Sequence, residues 1–303
     1  MGAGGSLVLK YHEAVPEMRL EMSRNEPSQK LIFPDRQMTL SRTHVMGIVN
    51  VTPDSFSDGG RFYDRDVAAS HALKLVEDGA DIVDVGGEST RPGSDPVSAD
   101  EEWRRVEPVI RALEDETDIP ISIDTMKPEV AWKAIEAGAI MVNDVSGLRN
   151  KDMTELVARE RVAVVIMHML GEPKTMQEDP SYIDVVEEVK DYLRRQMDTA
   201  IKAGVSSDSI VLDPGIGFGK TIEHNLRLIN LVKEFEELGR PVMIGASRKS
   251  FIGHINKTEV TDRLEGSIAA AILAAVRGAR IVRVHDVKET VRALKVAEAI
   301  LRA

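Results

Sequence analysis

Residues 44–86, HVMGIVNVTPDSFSDGGRFYDRDVAASHALKLVEDGADIVDVG, contain the unit from which the fold can be inferred. The stretch begins and ends in short β-rich runs, and between them RDVAASHALKLVEDGA places its apolar side chains on one helical stripe. A strand, a helix and a second strand in this order predict a parallel pair with a right-handed crossover. The segment after the first strand is polar except for Phe56, which is typical of a functional loop.

The same alternation continues to the C-terminus. Further β-rich runs are PISID, IMVND, VAVVIMH, SIVLD, PVMIGA and RIVRVH, separated by segments of helical length such as EHNLRLINLVKEFEELG. Eight such units predict a single α/β domain, a (β/α)8 TIM barrel, over residues 41–303. A doubly wound open sheet is the alternative. Residues 1–40 have no regular period, and we interpret them as an N-terminal extension of unknown role that includes a short strand or two.

The composition excludes several classes of protein. The chain has 303 residues, and 50 acidic against 39 basic side chains give a formal charge of −11. This charge argues against a nucleic-acid or membrane-surface binder, although it allows a local cationic pocket for a small anionic substrate. No apolar run approaches the roughly 20 residues that span a bilayer. Cysteine is absent, which excludes disulfides and thiolate sites and fits a cytoplasmic location.

Polar or glycine-rich residues follow every predicted strand. In a barrel these strand ends meet at one rim, where barrel enzymes place their active sites. A carboxylate or amide at the end of an apolar run is costly to bury unless it is hydrogen-bonded. Each such residue alone could be a helix cap or turn residue, but together they predict one polar site. The candidates are Asn50, Thr90, Arg91, Asp124, Asn143, Met167, Asp213, Lys249, Ser250, Arg283 and His285.

The segment PGIGFGKT superficially resembles two nucleotide-binding motifs. A P-loop needs glycine where Pro214 stands, and the glycine spacing does not fit a dinucleotide-binding fingerprint either. The glycines would instead bring backbone N–H groups close to a flat ligand.

Taken together, the strings along the chain resemble the dihydropteroate synthase family of pterin-binding enzymes. The strings are GIVNVTPDSFSDGG, DVGGESTRPG, SIDT, NDVSG, MHMLGEPKTMQEDP, DPGIGFGKTIEHNL, SRKSFIG, DRLEGSIAAA and RVHDV. The resemblance implies a TIM-barrel transferase of folate biosynthesis. It would join para-aminobenzoate to (7,8-dihydropterin-6-yl)methyl diphosphate, giving 7,8-dihydropteroate and pyrophosphate. It also implies Mg2+ as cofactor, inhibition by sulfonamides, and a cytoplasmic homodimer formed through the Ala- and Ile-rich C-terminal helices.

In this interpretation, the pterin lies against the acids of the rim. The bidentate edge of the pterin suits the Asp213 carboxylate, and Asn143 offers both a donor and an acceptor. Asp124 reaches a ring nitrogen, and Lys249 donates to the pterin carbonyl. Met167 is either an apolar contact of the ring face or an ordinary core residue.

The diphosphate and the metal lie at the other end of the substrate. Arg283 and His285 alternate along the last strand and can face one side, and an Arg fork suits phosphate oxygens. Thr90 and Arg91 reach the diphosphate from the second loop. Asn50 and, more weakly, Asp58 are the predicted Mg2+ ligands.

The aminobenzoate pocket is expected to form when the first two loops close. Phe56 and Pro92 would line one side of it, with Phe218 and Lys249 on the other. The backbone N–H of Ser250, at the start of the seventh helix, would bind the substrate carboxylate. Phe56 could equally pack on the barrel permanently.

The resemblance implies a dissociative substitution in which pyrophosphate leaves before the amine attacks. Asp124, Lys249 and Asp213 are the predicted catalytic residues, and Asp124 is the acid favoured for stabilising the cationic dihydropterin. Two alternatives stay open. One is a corrinoid-dependent methyltransferase using methyltetrahydrofolate, which needs no diphosphate site; the other is a barrel that binds pterin or phosphate without catalysis.

Overall fold

A computed structural model describes residues 29–52, 63–90, 94–172 and 175–303. Strands and helices alternate along almost the whole of these ranges. The strands are β1 (Gln29–Ile32), β2 (Gln37–Leu40), β3 (His44–Asn50), β4 (Ile82–Gly86), β5 (Ile121–Asp124), β6 (Met141–Asp144), β7 (Ala163–Met167), β8 (Ile210–Asp213), β9 (Met243–Ile244) and β10 (Ile281–Val284). The α-helices are α1 (Tyr63–Glu77), α2 (Ala99–Glu116), α3 (Pro128–Glu136), α4 (Lys151–Glu160), α5 (Val185–Lys202), α6 (Ile222–Asn230), α7 (Ser250–Asn256), α8 (Leu264–Val276) and α9 (Val287–Arg302).

Eight parallel strands form the main sheet, in the order β8-β7-β6-β5-β4-β3-β10-β9. The first and last strands of the barrel pair directly, with Ile281 of β10 opposite His44 of β3. Between β8 and β9 the described pairing is a single bridge, Leu212 to Val242, beside a 2.9 Å hydrogen bond from the Leu212 N–H to the Pro241 carbonyl. The predicted TIM barrel is therefore confirmed, and its seam lies between β8 and β9.

The side chains of successive strand residues point alternately outward and inward, and each set forms its own apolar layer. The outward side chains pack against the helices in one large cluster that includes Val83, Ile110 and Leu156. The inward ones fill the N-terminal half of the barrel, where Met46, Ile82, Met141, Ala163, Val165, Val211, Met243 and Ile281 meet. In the described part of the chain, no helix is both long and apolar enough to cross a membrane.

The hairpin of β1 and β2 closes the N-terminal end of the barrel. Its side chains Leu31, Phe33 and Leu40 are almost completely buried and belong to the inward cluster. The two strands therefore lie inside the segment that was interpreted as an extension, and they contribute to the barrel core. The boundary at residue 41 stays a prediction.

The segment EHNLRLINLVKEFEELG does not form one continuous helix. After α6, residues Val232–Leu238 form a 3-10 helix that ends at Gly239, whose φ is 70°. Val232, Phe235 and Leu238 are its buried residues. Three residues per turn keep this spacing on one face, so the tighter helix buries all three side chains together.

Candidate active site

The predicted polar residues meet at the C-terminal rim of the barrel. Strand register places Asn50 opposite Gly86, Gly86 opposite Asp124, and Asp124 opposite Asn143. Between β7 and β8, Met167 lies opposite Asp213. The ends of β3, β4, β5 and β6 are thus level, and β7 and β8 end at the same rim, which brings side chains distant in sequence into one site.

A buried carboxylate that was not predicted from the sequence links two of the predicted residues at the centre of this rim. Asp84 of β4 is fully buried, and its Oδ2 accepts hydrogen bonds from Arg283 Nε at 2.6 Å and Asn143 Nδ2 at 2.9 Å. Its Oδ1 is buried without a partner. The signal in the sequence was an acid between Val83 and Val85 in an otherwise apolar run. Asp84 therefore fixes the orientation of two side chains that are predicted to bind the substrate.

Asp124 shares Arg283 with Asp84. Arg283 Nη2 donates to Asp124 Oδ2 at 2.6 Å, so one guanidinium bridges two carboxylates. Burial raises the pKa of Asp124 to about 7; the Arg283 charge opposes this shift, and Asp84 reinforces it. Asp124 is thus able to change charge near neutral pH.

Asp213 is held by the turn that follows it. The Gly215 N–H donates to Asp213 Oδ1 at 2.7 Å, and the carboxyl is only 5% exposed. Burial raises its pKa, while the Gly215 hydrogen bond and the Lys249 charge oppose the shift. Gly215 has φ 72°, and a Cβ there would lie 1.9 Å from the His168 carbonyl oxygen. No other residue fits this turn.

Lys249 lies above Phe218, with its Nζ 4.1 Å from the ring centroid. Such a cation–π contact orients an ammonium that is still partly exposed. Gly217 allows it, because a Cβ there would be 3.1 Å from Lys249 Cδ. Phe218 and Met167 belong to one small buried apolar cluster with Val145, Met169 and Met176. The two predicted apolar contacts therefore lie together beneath the rim.

A serine that the sequence analysis did not single out holds His285. Ser247 Oγ lies 3.0 Å from His285 Nδ1, and it accepts the His285 backbone N–H at 3.2 Å. This contact fixes the ring through Nδ1. Ser247 could not have been found from spacing, since the two residues are 38 positions apart. Ser250, the predicted carboxylate contact, is the first residue of α7 and is exposed.

Three ionisable residues support the start of the loop after β4. Lys127 Nζ contacts Glu88 and donates to Glu102 Oε2 at 2.5 Å. Glu102 is fully buried, and burial raises its pKa although Lys127 opposes the shift. A small depression beside this group is lined by Glu88, Thr90 and Asp124. Predicted site residues Phe56, Asp58, Arg91 and Pro92 lie outside the described residues.

A buried basic pair lies behind the loop after β8. Lys220 Nζ is 2.9 Å from His168 Nδ1 and donates to the Phe218 carbonyl at 2.9 Å. Burial lowers the pKa of Lys220 to about 7 and that of His168 to about 2. The histidine is therefore neutral and accepts from the lysine. The pair stabilises the loop that carries Phe218.

The chain is similar to known proteins along most of its length. The chain matches the family model described as "Pterin binding enzyme" over residues 46–285. It is 47% identical over 274 residues to a dihydropteroate synthase of Escherichia coli (strain K12), a match that covers 90% of this chain and 97% of that protein. It is also similar to the structure of a Xanthomonas albilineans dihydropteroate synthase with 4-aminobenzoic acid, with a TM-score of 0.87, 47% identity, and coverage of 91% and 100% of the two chains. A Yersinia pestis dihydropteroate synthase in a sulfonamide drug complex gives a TM-score of 0.87, 41% identity, and the same coverage.

Proposed function

The chain belongs to the pterin-binding enzyme family and catalyses the dihydropteroate synthase reaction, and from this membership we propose a role for each group at its rim. The resemblance found in the sequence is thereby confirmed. The reaction joins para-aminobenzoate to (7,8-dihydropterin-6-yl)methyl diphosphate and releases pyrophosphate. The corrinoid methyltransferase alternative is not favoured, because the similar proteins named above are synthases.

The observation that carries the assignment is the set of buried acids beside one guanidinium. Asp84, Asp124 and Asp213 converge on a small volume whose cations are Arg283, Lys249 and Lys220. A pterin is flat, with donors along one edge, so a fixed carboxylate can accept two of its hydrogen bonds. We assign Asp213 to that edge, Asn143 to the adjoining ring atoms, and Lys249 to the carbonyl. Met167 and Phe218 form the apolar base.

The proposed mechanism is dissociative. As pyrophosphate departs, positive charge spreads over the dihydropterin, and fixed negative groups around it lower the barrier. Asp124 is the group best suited to this role, because it shares Arg283 with Asp84 and becomes negative near neutral pH. The aminobenzoate amine then attacks the cation, and the ammonium formed with the new C–N bond loses a proton to solvent, so that no strong general base is needed.

The diphosphate end would use residues at the ends of β3 and β10 and in the first two loops. Arg283 and His285 lie on or just after β10, and Asn50 ends β3 with a partly exposed side chain. An amide oxygen at the rim suits Mg2+, which keeps one or two protein ligands and takes the rest from substrate phosphates. Asn50 with Asp58 would hold the ion, which would neutralise charge on the leaving group. Thr90 and Arg91 would contact the diphosphate from the second loop.

The aminobenzoate pocket is proposed between Phe218 and Lys249 on one side and Phe56 and Pro92 on the other. The Ser250 N–H would bind the carboxylate. The Xanthomonas albilineans structure with 4-aminobenzoic acid and the Yersinia pestis sulfonamide complex support this use of the site, and they support sulfonamide binding here.

We further propose that the protein is a cytoplasmic homodimer. Apolar side chains on α7, α8 and α9 are exposed, and exposed apolar patches mark protein–protein contacts. They are Ile255 at 53%, Leu273 at 49%, Val296 at 60% and Ile300 at 70%. We call these four residues the C-terminal apolar surface. A second copy of the chain would cover it.

The decisive experiment follows both products. The protein is mixed with (7,8-dihydropterin-6-yl)methyl diphosphate, para-aminobenzoate and Mg2+, and pyrophosphate and dihydropteroate are measured together. We expect equal amounts of both, with formation lost on adding EDTA. Pterin binding without either product would contradict the proposed catalytic roles, and methyl transfer to a corrinoid would then be assayed.

A further inference from the structure

The turn after β9 holds an arginine in an unusual backbone conformation. Residues 246–249 form a turn in which the Lys249 N–H donates to the Ala246 carbonyl at 3.3 Å. Arg248, at its third position, has φ 55°. That position requires positive φ in this turn type and normally carries glycine or asparagine. An arginine in this conformation is strained by its Cβ, so other contacts must maintain the conformation.

Two side chains from the start of α8 supply those contacts. Ser267 Oγ accepts the Arg248 N–H at 2.9 Å, and Arg263 Nη1 donates to the Arg248 carbonyl at 3.0 Å. Ser267 is buried, and its hydroxyl donates to the Arg263 carbonyl at 2.6 Å. Both backbone polar groups of the strained residue are thus bound by residues of one helix.

The helix before this one leaves space for the Arg263 side chain. A Cβ at Gly253 of α7 would lie between 2.3 and 2.5 Å from three atoms of the Arg263 guanidinium. Arg263 Nη2 also donates to the Thr258 carbonyl at 3.4 Å. The guanidinium therefore occupies a fitted position between α7, α8 and the turn.

The turn carries groups for both ends of the substrate. Lys249 lies over Phe218 on the pterin side, and Ser247 binds both the backbone and the ring of His285 on the diphosphate side. The Arg248 side chain pairs with Asp286 at 2.5 Å, immediately after His285. A change in the backbone at residue 248 would therefore change the position of Lys249 relative to Ser247.

We propose that Arg263 and Ser267 are positioning residues for this enzyme. They hold residue 248 in the left-handed conformation, and through it they direct Lys249 to the pterin and His285 to the diphosphate. The inference rests on the proposed function, which assigns those two contacts.

The test uses Arg263→Met and Ser267→Ala. Binding of (7,8-dihydropterin-6-yl)methyl diphosphate is measured by calorimetry, with kcat, KM and thermal midpoint measured on the same preparations. We expect pterin affinity about tenfold weaker in each variant, because a polar backbone group of residue 248 loses its partner. We expect KM to rise more than kcat falls, since Lys249 is displaced and not removed.

Rescue separates positioning from general stability. Glycine adopts positive φ without cost, so adding Arg248→Gly to Arg263→Met should restore affinity to within about twofold of Arg248→Gly alone. Arg161→Gly is the matched control. It also replaces an arginine at positive φ, 58°, but at the end of α4. It should not restore affinity to Arg263→Met.

Two outcomes overturn the proposal. One is a lower thermal midpoint with unchanged pterin affinity, and the other is a weakened affinity that Arg248→Gly does not restore. If Arg263→Met does not fold, Ser267→Ala with and without Arg248→Gly decides the question alone. A wild-type protein that does not bind the pterin would instead reject the proposed function.

Discussion

At the scale of single residues, Asp84 determines how the rim is arranged. It holds Arg283 and Asn143 from inside the barrel and is fully buried. Removing one member of a buried ionic network costs about 3–5 kcal/mol, because the remaining charge stays buried without its partner. Loss of this carboxylate should therefore lower both the stability of the fold and the affinity for the substrate.

Asp84→Asn is accordingly expected to lower the free energy of unfolding by about 3 kcal/mol and to weaken pterin affinity at least about tenfold. Urea unfolding and calorimetric pterin binding measure the two effects. Asp81→Asn is the matched control, since Asp81 precedes the same strand and pairs with Arg42 and His44 at the opposite end of the barrel. It should lower stability alone. Equal pterin affinity in both variants would disprove the role of Asp84.

The raised pKa of Asp124 predicts a pH dependence. Below its pKa of about 7 the carboxyl is protonated and neutral, so it cannot stabilise a cationic transition state. Because the ionised form is the active one, kcat should rise as pH increases through about 7 and then level off. Asp124→Asn should have a lower kcat without this step. A wild-type kcat that stays flat between pH 6 and 8 would contradict the assignment.

Site residues at the ends of apolar runs were predictable. Site residues within a run, or those whose role depends on contacts with a neighbouring strand, were not. Asp124, Asn143 and Asp213 were found because strand ends converge in a barrel. Asp84 lies within a run, and its partners come from other strands. Ser247 contacts His285 only because β9 lies beside β10. Their roles depend on tertiary neighbours that spacing does not reveal.

At the scale of elements, the bridge from Lys127 to Glu88 and Glu102 ties three segments together. It joins the loop after β4 to the first turn of α2 and to the residue before α3. Lys127→Met should destabilise the fold by about 3 kcal/mol, because Glu102 stays buried without its cation. Adding Glu102→Gln should recover much of that loss. Urea unfolding of the two single variants and the double variant measures the coupling between Lys127 and Glu102. If the two losses of unfolding free energy simply add, the proposed bridge is contradicted.

The hairpin of β1 and β2 should behave as part of the barrel. Leu31→Ala is expected to cost about 2–5 kcal/mol of unfolding free energy, since the side chain is completely buried in the inward cluster. Lys30→Ala, at the exposed residue that precedes Leu31 in the same strand, should change stability little. Chemical denaturation compares the two. A negligible effect of Leu31→Ala would show that the hairpin is a separable extension.

Periodicity predicted the elements of the barrel but not their local variations. The strands and most helices follow from alternation of β-rich and helical segments. The 3-10 helix after α6 and the hairpin packing were not predictable, because each is set by which side chains the core can bury. Propensity gives way to tertiary packing at such places.

At the scale of the whole molecule, the C-terminal apolar surface predicts association. Leu273→Asp should weaken the homodimer about a hundredfold or more, because an unpaired carboxylate would be buried in the interface. Sedimentation velocity over a range of concentrations measures this. Leu226→Asp, on α6 and 43% exposed, is the control and should leave association unchanged. Equal effects of both substitutions would argue for a different interface.

The position of the seam has a consequence for how the chain could be reconnected. In this barrel the first and last strands are fully paired, and the sparse contact lies between β8 and β9, away from both ends of the chain. Gly239 lies there, exposed, with no atom within 4 Å of where a Cβ would be. A circularly permuted chain that begins at Arg240 and ends at Gly239, with a linker from residue 303 to residue 29 in place of residues 1–28, would leave every strand segment uncut. Its new ends would lie at the seam, where the strand pairing of the barrel is sparsest.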